Sequence, residues 1–363
     1  MLKNFQVQNR KMFQVMDNDG KIIDPENMPE ISDKELINVF KGMLFARTAD
    51  LMIVSYQRQG RIFTYPPNFG QEAIHAAAAS IIRKEDWLVP AFREMGTWLA
   101  IGANLKDIFL YFMGYEEGSK FSGTERMLPI SVPIASQLSH ATGIGYALKY
   151  REENSVVFTF VGDGGTSTGE FHEALNFAGV WKVPVIFIVQ NNQYAISVPF
   201  RMQTASESIA IKSAAYGMPG IQVDGNDYFA LHSTIREARE YCSSGKGPVL
   251  IEAVTFRKGA HTTSDDPRKY RSEDEENSWE QKDPLKRLRA YMSDKKIWNE
   301  SQEEELTEQY KKEIDRIFVE AENQPPYPLE DVFKFMYSEI PDDLLHQKAE
   351  HEKFLKWKES RHF

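Results

Sequence analysis

The sequence predicts an α/β protein: a doubly wound, mostly parallel sheet with helices on both faces. Two observations carry this. Residues 156–161 and 184–189 are β-branched and aromatic runs without polar alternation, as strands buried on both faces require. Between them Phe171, Ala174, Leu175, Ala178 and Trp181 recur at helical spacing, with Ser167 and Glu170 placed as a capping box. Such a strand, helix and strand form a right-handed crossover unit. The turns after both strands then open at one carboxyl edge of the sheet, where ligands of such sheets bind.

The elements follow in chain order. Residues 1–32 carry turn signals at Asp17, Asn18, Asp19, Gly20 and Pro25 and read as an arm wrapping a neighbour. Ser32 and Glu35 cap a helix bearing Leu36, Val39, Phe40, Met43 and Leu44. An alanine-rich helix follows Gly70, and its His75 reads as a satisfied core histidine. Residues 87–90 form a short strand, with Phe92, Arg93 and Glu94 just beyond its end. A guanidinium there suits a bidentate anion, although loop arginines are mostly solvated. Residues 131–137 make a loop and cap before a helix whose Gly143 and Gly145 permit close approach. Residues 220–224 and 249–255 are further strands, separated by a helix over about 228–242.

After the last strand, residues 257–268 read as too polar to pack and too long for a simple connection, so this loop, with His261, is either functional or disordered. A helix capped by Ser301 and Glu304 carries Leu306, Tyr310, Ile314, Ile317 and Ala321. Pro325, Pro326 and Pro328 end it. This organisation gives an arm (1–32), one domain (33–323) and a helical tail (324–363). His346 and His351, five apart, miss the helical pairing of a metal site.

Composition narrows the class. The 363 residues are 42% hydrophobic, ample for one large core. A net charge of −10 argues against a nucleic-acid partner. The single Cys242 can form no internal disulfide, as suits a reducing cytosol. The N-terminus lacks the apolar core of a signal peptide, and no apolar run reaches the ~18 residues of a membrane span. A cytoplasmic protein with no membrane partner is expected.

The turn after the first crossover strand carries the chemistry. Gly162, Gly164 and Gly165 let backbone N–H groups approach an anion, and a helix N-terminus follows. Asp163 would repel a phosphate unless a cation lay between them. Mg²⁺ is that kind of cation, and Asp163 with the amide oxygen of Asn192 suits its oxygen ligation. Taken alone, the motif also fits an ordinary turn with a solvated aspartate. It does not fit a dinucleotide fingerprint, which needs glycine where Ser167 stands, and no Walker motif occurs.

The glycine–aspartate–glycine turn, followed one crossover unit later by Asn191 and Asn192, resembles the two-part thiamine diphosphate motif. From about residue 28 to 355 the chain resembles the alpha subunit of the first, decarboxylating component of 2-oxo acid dehydrogenase complexes, pyruvate and branched-chain types. GQEA at Gly70, SVPIASQ at Ser131, IQVDGND at Ile221 and HTTSDDPRKYRS at His261 carry the likeness. The resemblance implies a thiamine diphosphate-binding fold in which Asp163, Asn192 and the Tyr194 carbonyl hold Mg²⁺. It implies cofactor contacts from Phe92, where a tyrosine is more usual, and from Arg93, Val132, Ile134, Gly162, Asp163, Gly164, Gly165, Gln190, Asn192, Tyr194 and the catalytic His261. In the branched-chain type, the positions of Ser131, Pro133, Ser136 and Gln137 bind K⁺. Thr262 stands where eukaryotic relatives carry a phosphorylatable serine.

The same resemblance implies oxidative decarboxylation of a 2-oxo acid and reductive acylation of a lipoyl group carried by an acyltransferase component. Pyruvate is the favoured substrate and branched-chain acids the alternative. The glutamate that activates the cofactor lies on a separate beta chain in this family, so an α₂β₂ heterotetramer is expected, with the alpha chain inactive alone. Two other classes fit less well. A Mg²⁺-dependent hydrolase would need a second carboxylate or nucleophile that the Asn191 and Asn192 turn lacks. A purely structural subunit would have no use for Asp163, Asn192, Arg93 and His261 together.

Overall fold

The computed structural model describes residues 11–361. The chain divides into a body ending at Ala321 and a second unit from Glu322. In the body, α1 (Asp33–Arg58) starts at the expected capping box: Glu35 N donates to Ser32 Oγ at 3.3 Å and Ser32 N to Glu35 Oε2 at 2.9 Å. Then come α2 (Glu72–Ile81), β1 (Trp87–Val89), α3 (Met95–Ala100), α4 (Leu105–Phe112), α5 (Ser136–Tyr150), β2 (Val157–Gly162), α6 (Gly169–Trp181) and β3 (Val185–Asn191). A two-stranded hairpin, β4 (Tyr194–Ala195) and β5 (Val198–Pro199), and the short α7 (Phe200–Gln203) precede β6 (Gly220–Asp224), α8 (Tyr228–Ser243) and β7 (Val249–Val254). Three helices close the body: α9 (Glu273–Glu280), α10 (Pro284–Asp294) and α11 (Glu300–Glu322). The second unit holds α12 (Leu329–Lys334) and α13 (Asp342–Ser360).

The main sheet has the order β1-β2-β3-β7-β6, and every pairing is parallel. Strand alternation sorts its side chains into two cores. Val157, Val161, Val185, Phe187 and Val189 pack with Leu138, Ala141, Phe171, Leu175 and Ala178 of α5 and α6. Phe158, Phe160, Ile186, Ile188 and Ile251 share the other core with Ala73, Ile74, Ala77, Leu231 and Ile235 of α2 and α8. Helices therefore cover both faces, as the sequence predicts. The carboxyl ends of β1, β2, β3 and β7 lie side by side along one edge. Among the described residues, no helix is long and apolar enough to cross a membrane.

Four local expectations need correction. Ser167 does not cap α6: residues Asp163–Ser167 form a 3-10 turn, so the helix starts later and Thr168 Oγ1 accepts from Phe171 N at 3.4 Å. Trp181, the last residue of α6, leaves the buried stripe and packs on Tyr146 and Phe177, with ring centroids 4.9 and 4.8 Å away, and Lys182 at a left-handed φ of 49° ends the helix. Ser301 lies inside α11, and Asn299 Oδ1 instead accepts from Gln302 N at 3.0 Å. The N-terminal segment does not lead away from the body over residues 13–16. Phe13, Val15 and Met16 are fully buried, Phe13 pairs with Val223 of β6, and Val15 N and Met16 N each donate to Asp227 Oδ2 at 2.7 Å. The rest of the expected arm, residues 1–10, lies outside the described residues.

Candidate functional site

Four strand ends and one helix start surround a cavity of about 360 Å³. β2 delivers Gly162, Asp163, Gly164 and Gly165; β3 and the hairpin deliver Gln190, Asn192, Tyr194 and Ile196. The end of β1 supplies Phe92, Arg93 and Glu94, the start of α5 supplies Ile134 and Gln137, and the chain after β7 supplies Arg257 and His261. Sequence reasoning singled out most of these. Val132 is 59% exposed and lines an adjoining cavity, which shares Phe92, Ile134 and His261 with the first.

Three oxygens converge where a cation would sit. The Asn192 carboxamide can take two orientations about its terminal bond. With nitrogen inward it donates to Asp163 Oδ1 at 3.2 Å and to the Tyr194 carbonyl at 3.1 Å; with oxygen inward, oxygen faces both at those spacings. An octahedral Mg²⁺ with ligands at about 2.1 Å separates adjacent ligands by about 3 Å. Both spacings from Asn192 therefore fit that ion with the amide oxygen inward. Asp163 Oδ2 is buried and makes no hydrogen bond in the protein, leaving it free for a further polar contact. Burial pushes the Asp163 carboxyl up to about 7, against the nearby Arg257 charge that lowers it. Among the described residues no three His, Cys, Asp or Glu side chains gather as a metal cluster, so one carboxylate, one amide and one carbonyl must suffice.

Two of the three glycines are set by packing. A Cβ on Gly164 would lie 2.8 Å from the Ala195 Cβ, and one on Gly165 would collide with the Val161 side chain. Gly162 has open space instead. The turn is thus pressed between β2 and β4, which fixes Asp163 relative to Tyr194.

Arg93 is buried and donates to the Pro67 carbonyl and, at 2.8 Å, to the His261 carbonyl. Its Nη2 also lies 3.3 Å from His261 Nδ1. A guanidinium can only donate, so Nδ1 is the acceptor and the neutral imidazole carries its proton on Nε2. Burial, Arg93 and Arg257 together hold His261 down at about 4, so it is neutral across the physiological range. Phe92 meets the imidazole edge to face at 6.5 Å.

Gln190 is held rather than free. Its Nε2 donates to Glu94 Oε1 at 2.6 Å and its Oε1 faces His75 Nε2 at 2.9 Å. Burial raises Glu94 to about 7 and lowers His75 to about 4, in keeping with His75 as a core residue. At the start of α5, Ser131 Oγ and Ser136 Oγ are 2.8 Å apart, Ser136 Oγ donates to the Pro133 carbonyl at 3.0 Å, and Gln137 Oε1 is buried without a partner.

The loop after β7 does pack, contrary to the reading of residues 257–268 as too polar. Arg257 is 1% exposed and donates to the carbonyls of Tyr194 at 3.1 Å and Ile196 at 2.6 Å. Arg271 donates to the carbonyls of Arg257 and, at 2.9 Å, Gly259. Asp265 accepts from Tyr270 Oη and, at 2.8 Å, from His261 N. Arg257 and Gln71 belong to the cavity wall and were not singled out from sequence, whereas Glu94 stands there as the neighbour of Arg93. The strand-end logic that pointed to Arg93 applies equally to Arg257, which directly follows a buried strand.

Residues 40–330 match the family described as dehydrogenase E1 component. The chain is 39% identical over 352 residues to the pyruvate dehydrogenase E1 component subunit alpha of Staphylococcus aureus, covering 97% of this chain and 94% of that protein. It is 41% identical over 341 residues to the protein of that name from Acholeplasma laidlawii, covering 93% and 99%.

Proposed function

The chain belongs to the dehydrogenase E1 component family of thiamine diphosphate-dependent 2-oxo acid dehydrogenases, and from that premise we propose that it is the alpha subunit of a pyruvate dehydrogenase. The observation that carries the site is the convergence of Asp163 Oδ1, the Asn192 amide and the Tyr194 carbonyl. These three would hold Mg²⁺, and the ion would offset the charge of a diphosphate that the lone carboxylate would otherwise repel. Thiamine diphosphate supplies the electron sink for decarboxylating a 2-oxo acid.

The protein's own residues bind and orient. Arg93 offers a permanent charge on the same cavity wall as the metal triad, Gly162 leaves open space at the turn, and Gln190 is locked by Glu94 and His75. Phe92, Val132, Ile134, Gly164 and Gly165 complete the cofactor surface. His261, neutral with its proton on Nε2, is poised to donate a hydrogen bond to reacting oxygen. Ser131, Ser136, the Pro133 carbonyl and the partnerless Gln137 Oε1 form an all-oxygen set suited to K⁺. We further propose a cytoplasmic α₂β₂ assembly with a beta subunit and a lipoyl-bearing acyltransferase as acceptor of the acyl group.

The test is steady-state decarboxylation by the assembled tetramer, comparing pyruvate with 2-oxoisovalerate. A higher kcat/KM for pyruvate supports the reading; a preference for 2-oxoisovalerate replaces it with a branched-chain enzyme. Absence of thiamine diphosphate dependence overturns it.

A further inference from the structure

Several buried polar atoms without partners lie on the cavity wall: Asp163 Oδ2, Gln137 Oε1, Arg257 Nε and both carboxamide atoms of Gln71. Under the proposed reading the first lies on the metal ligand and the second in the potassium set, while Arg257 spends its other nitrogens on carbonyls. Gln71 stands apart. It is fully buried, and neither end of its carboxamide is used by the protein.

Its backbone is fixed on both sides. Gly70 sits at φ 101°, where a Cβ would lie 2.7 Å from the Phe256 carbonyl, and Gly70 N donates to Glu72 Oε2 at 3.0 Å. Glu72 is in turn gripped by Arg47, whose Nη2 donates to it at 2.9 Å. Gln71 itself occupies the N-cap of α2 and makes no capping bond. A rigid backbone thus holds an unpaired amide in the cavity, at the positive end of a ten-residue helix and on the same wall as Arg93. Buried polar groups are nearly always paired, and one left unpaired costs stability unless a ligand answers it.

We infer that Gln71 is a direct ligand contact, its Nε2 donating to an anionic oxygen of the cofactor's diphosphate. The inference rests on the proposed thiamine diphosphate site. The helix start and the two guanidiniums of Arg93 and Arg257 favour an anionic acceptor over the Asp163 and Glu94 carboxyls on the same wall, and a neutral amide donates to it without adding charge.

The test is calorimetric titration of the assembled full-length protein with thiamine diphosphate and Mg²⁺, with inorganic pyrophosphate as a competing probe and thermal unfolding of the empty protein alongside. Gln71→Leu keeps the volume and removes both unpaired atoms. It should weaken cofactor and pyrophosphate binding by similar factors of about 10–100 while leaving the melting temperature unchanged or higher. Gln71→Glu should weaken both further. Cofactor affinity unchanged by Gln71→Leu would mean that a buried water alone answers the amide, and would overturn the inference. Weakened cofactor binding with undiminished pyrophosphate binding would also overturn it, by moving the contact off the diphosphate. Should Gln71→Leu lose its fold, Gln71→Glu carries the same two readouts. Wild-type protein that fails to bind, or binding that survives Asp163→Asn, would sink the site assignment itself and overturn the Gln71 contact with it, an outcome told apart from the others because it does not depend on the Gln71 variants.

Discussion

At the residue scale, the pH response of the site turns on Asp163. Its carboxyl stands at about 7, above its range in an unfolded chain, because burial disfavours the charged form. The empty folded chain therefore holds this proton more tightly than the unfolded one. The resulting stability is present at acid pH and is lost as pH rises through 7. Metal binding has the opposite sign, since only the carboxylate can ligate. We expect Mg²⁺-dependent cofactor affinity to fall by up to about tenfold per pH unit below 7 and to level off above it. Asp163→Asn should make the empty protein less sensitive to pH and more stable at pH 8, yet reduce cofactor affinity by at least about 100-fold. Calorimetry from pH 6 to 8 checks both arms, and an affinity that is flat with pH in the wild type contradicts the metal assignment.

At the element scale, the sequence conveys strands better than the points where helices begin. The buried runs leading to Gly162 and Asn191 are legible because parallel strands covered on both faces leave no polar alternation to misread. The start of α6 is not, because the glycine-rich turn winds into a 3-10 segment and shifts the cap by one residue to Thr168. Thr168→Ala should accordingly cost about 1 kcal/mol, and Ser167→Ala less than about 0.5 kcal/mol, in denaturant unfolding. The loop after β7 was misread for a different reason. Arg257 and Arg271 count as polar in a sequence, but their forks satisfy backbone carbonyls and become buried cross-links. Gln71 is not legible, and Glu94 is legible only as the neighbour of Arg93, because nothing in spacing tells which polar side chain turns inward. Limited proteolysis between Lys258 and Arg271 tests how firmly the loop is held: cutting should slow when Mg²⁺ and thiamine diphosphate are added. Thr262→Glu should depress lipoyl-linked turnover far more than stability, since a new carboxylate beside His261 would face the diphosphate. Equal cleavage with and without cofactor would remove any lid role.

At the scale of the whole molecule, the acids on the cavity wall decide what the chain can do alone. Two carboxylates line it, one proposed as a metal ligand and one hydrogen-bonded. Asp163 Oδ1 faces the Asn192 amide, and Glu94 accepts from Gln190 Nε2 and from Arg93 N. No further acidic side chain on that wall remains to exchange a proton with an aminopyrimidine ring. The wall also carries apolar side chains that folding has left in contact with solvent. Ile134 is 50% exposed and Ile196 55% exposed, although both line the cavity. Ile196 holds a φ of 56°, which a β-branched residue rarely adopts, and Arg257 grips its carbonyl at 2.6 Å. Backbone strain spent on presenting an apolar side chain at a cavity rim has a physical rationale when a second surface covers it and excludes water from the reacting centre. The full-length chain purified alone should therefore bind Mg²⁺ and thiamine diphosphate weakly and show no 2-oxo acid decarboxylation, and addition of the beta subunit should restore turnover. The measurement is CO₂ release from carboxyl-labelled pyruvate, on preparations verified by mass spectrometry to lack beta subunit. Turnover by the isolated chain would mean that Glu94, the carboxyl at about 7 that is not placed as a metal ligand, can leave Gln190 and serve as the acid.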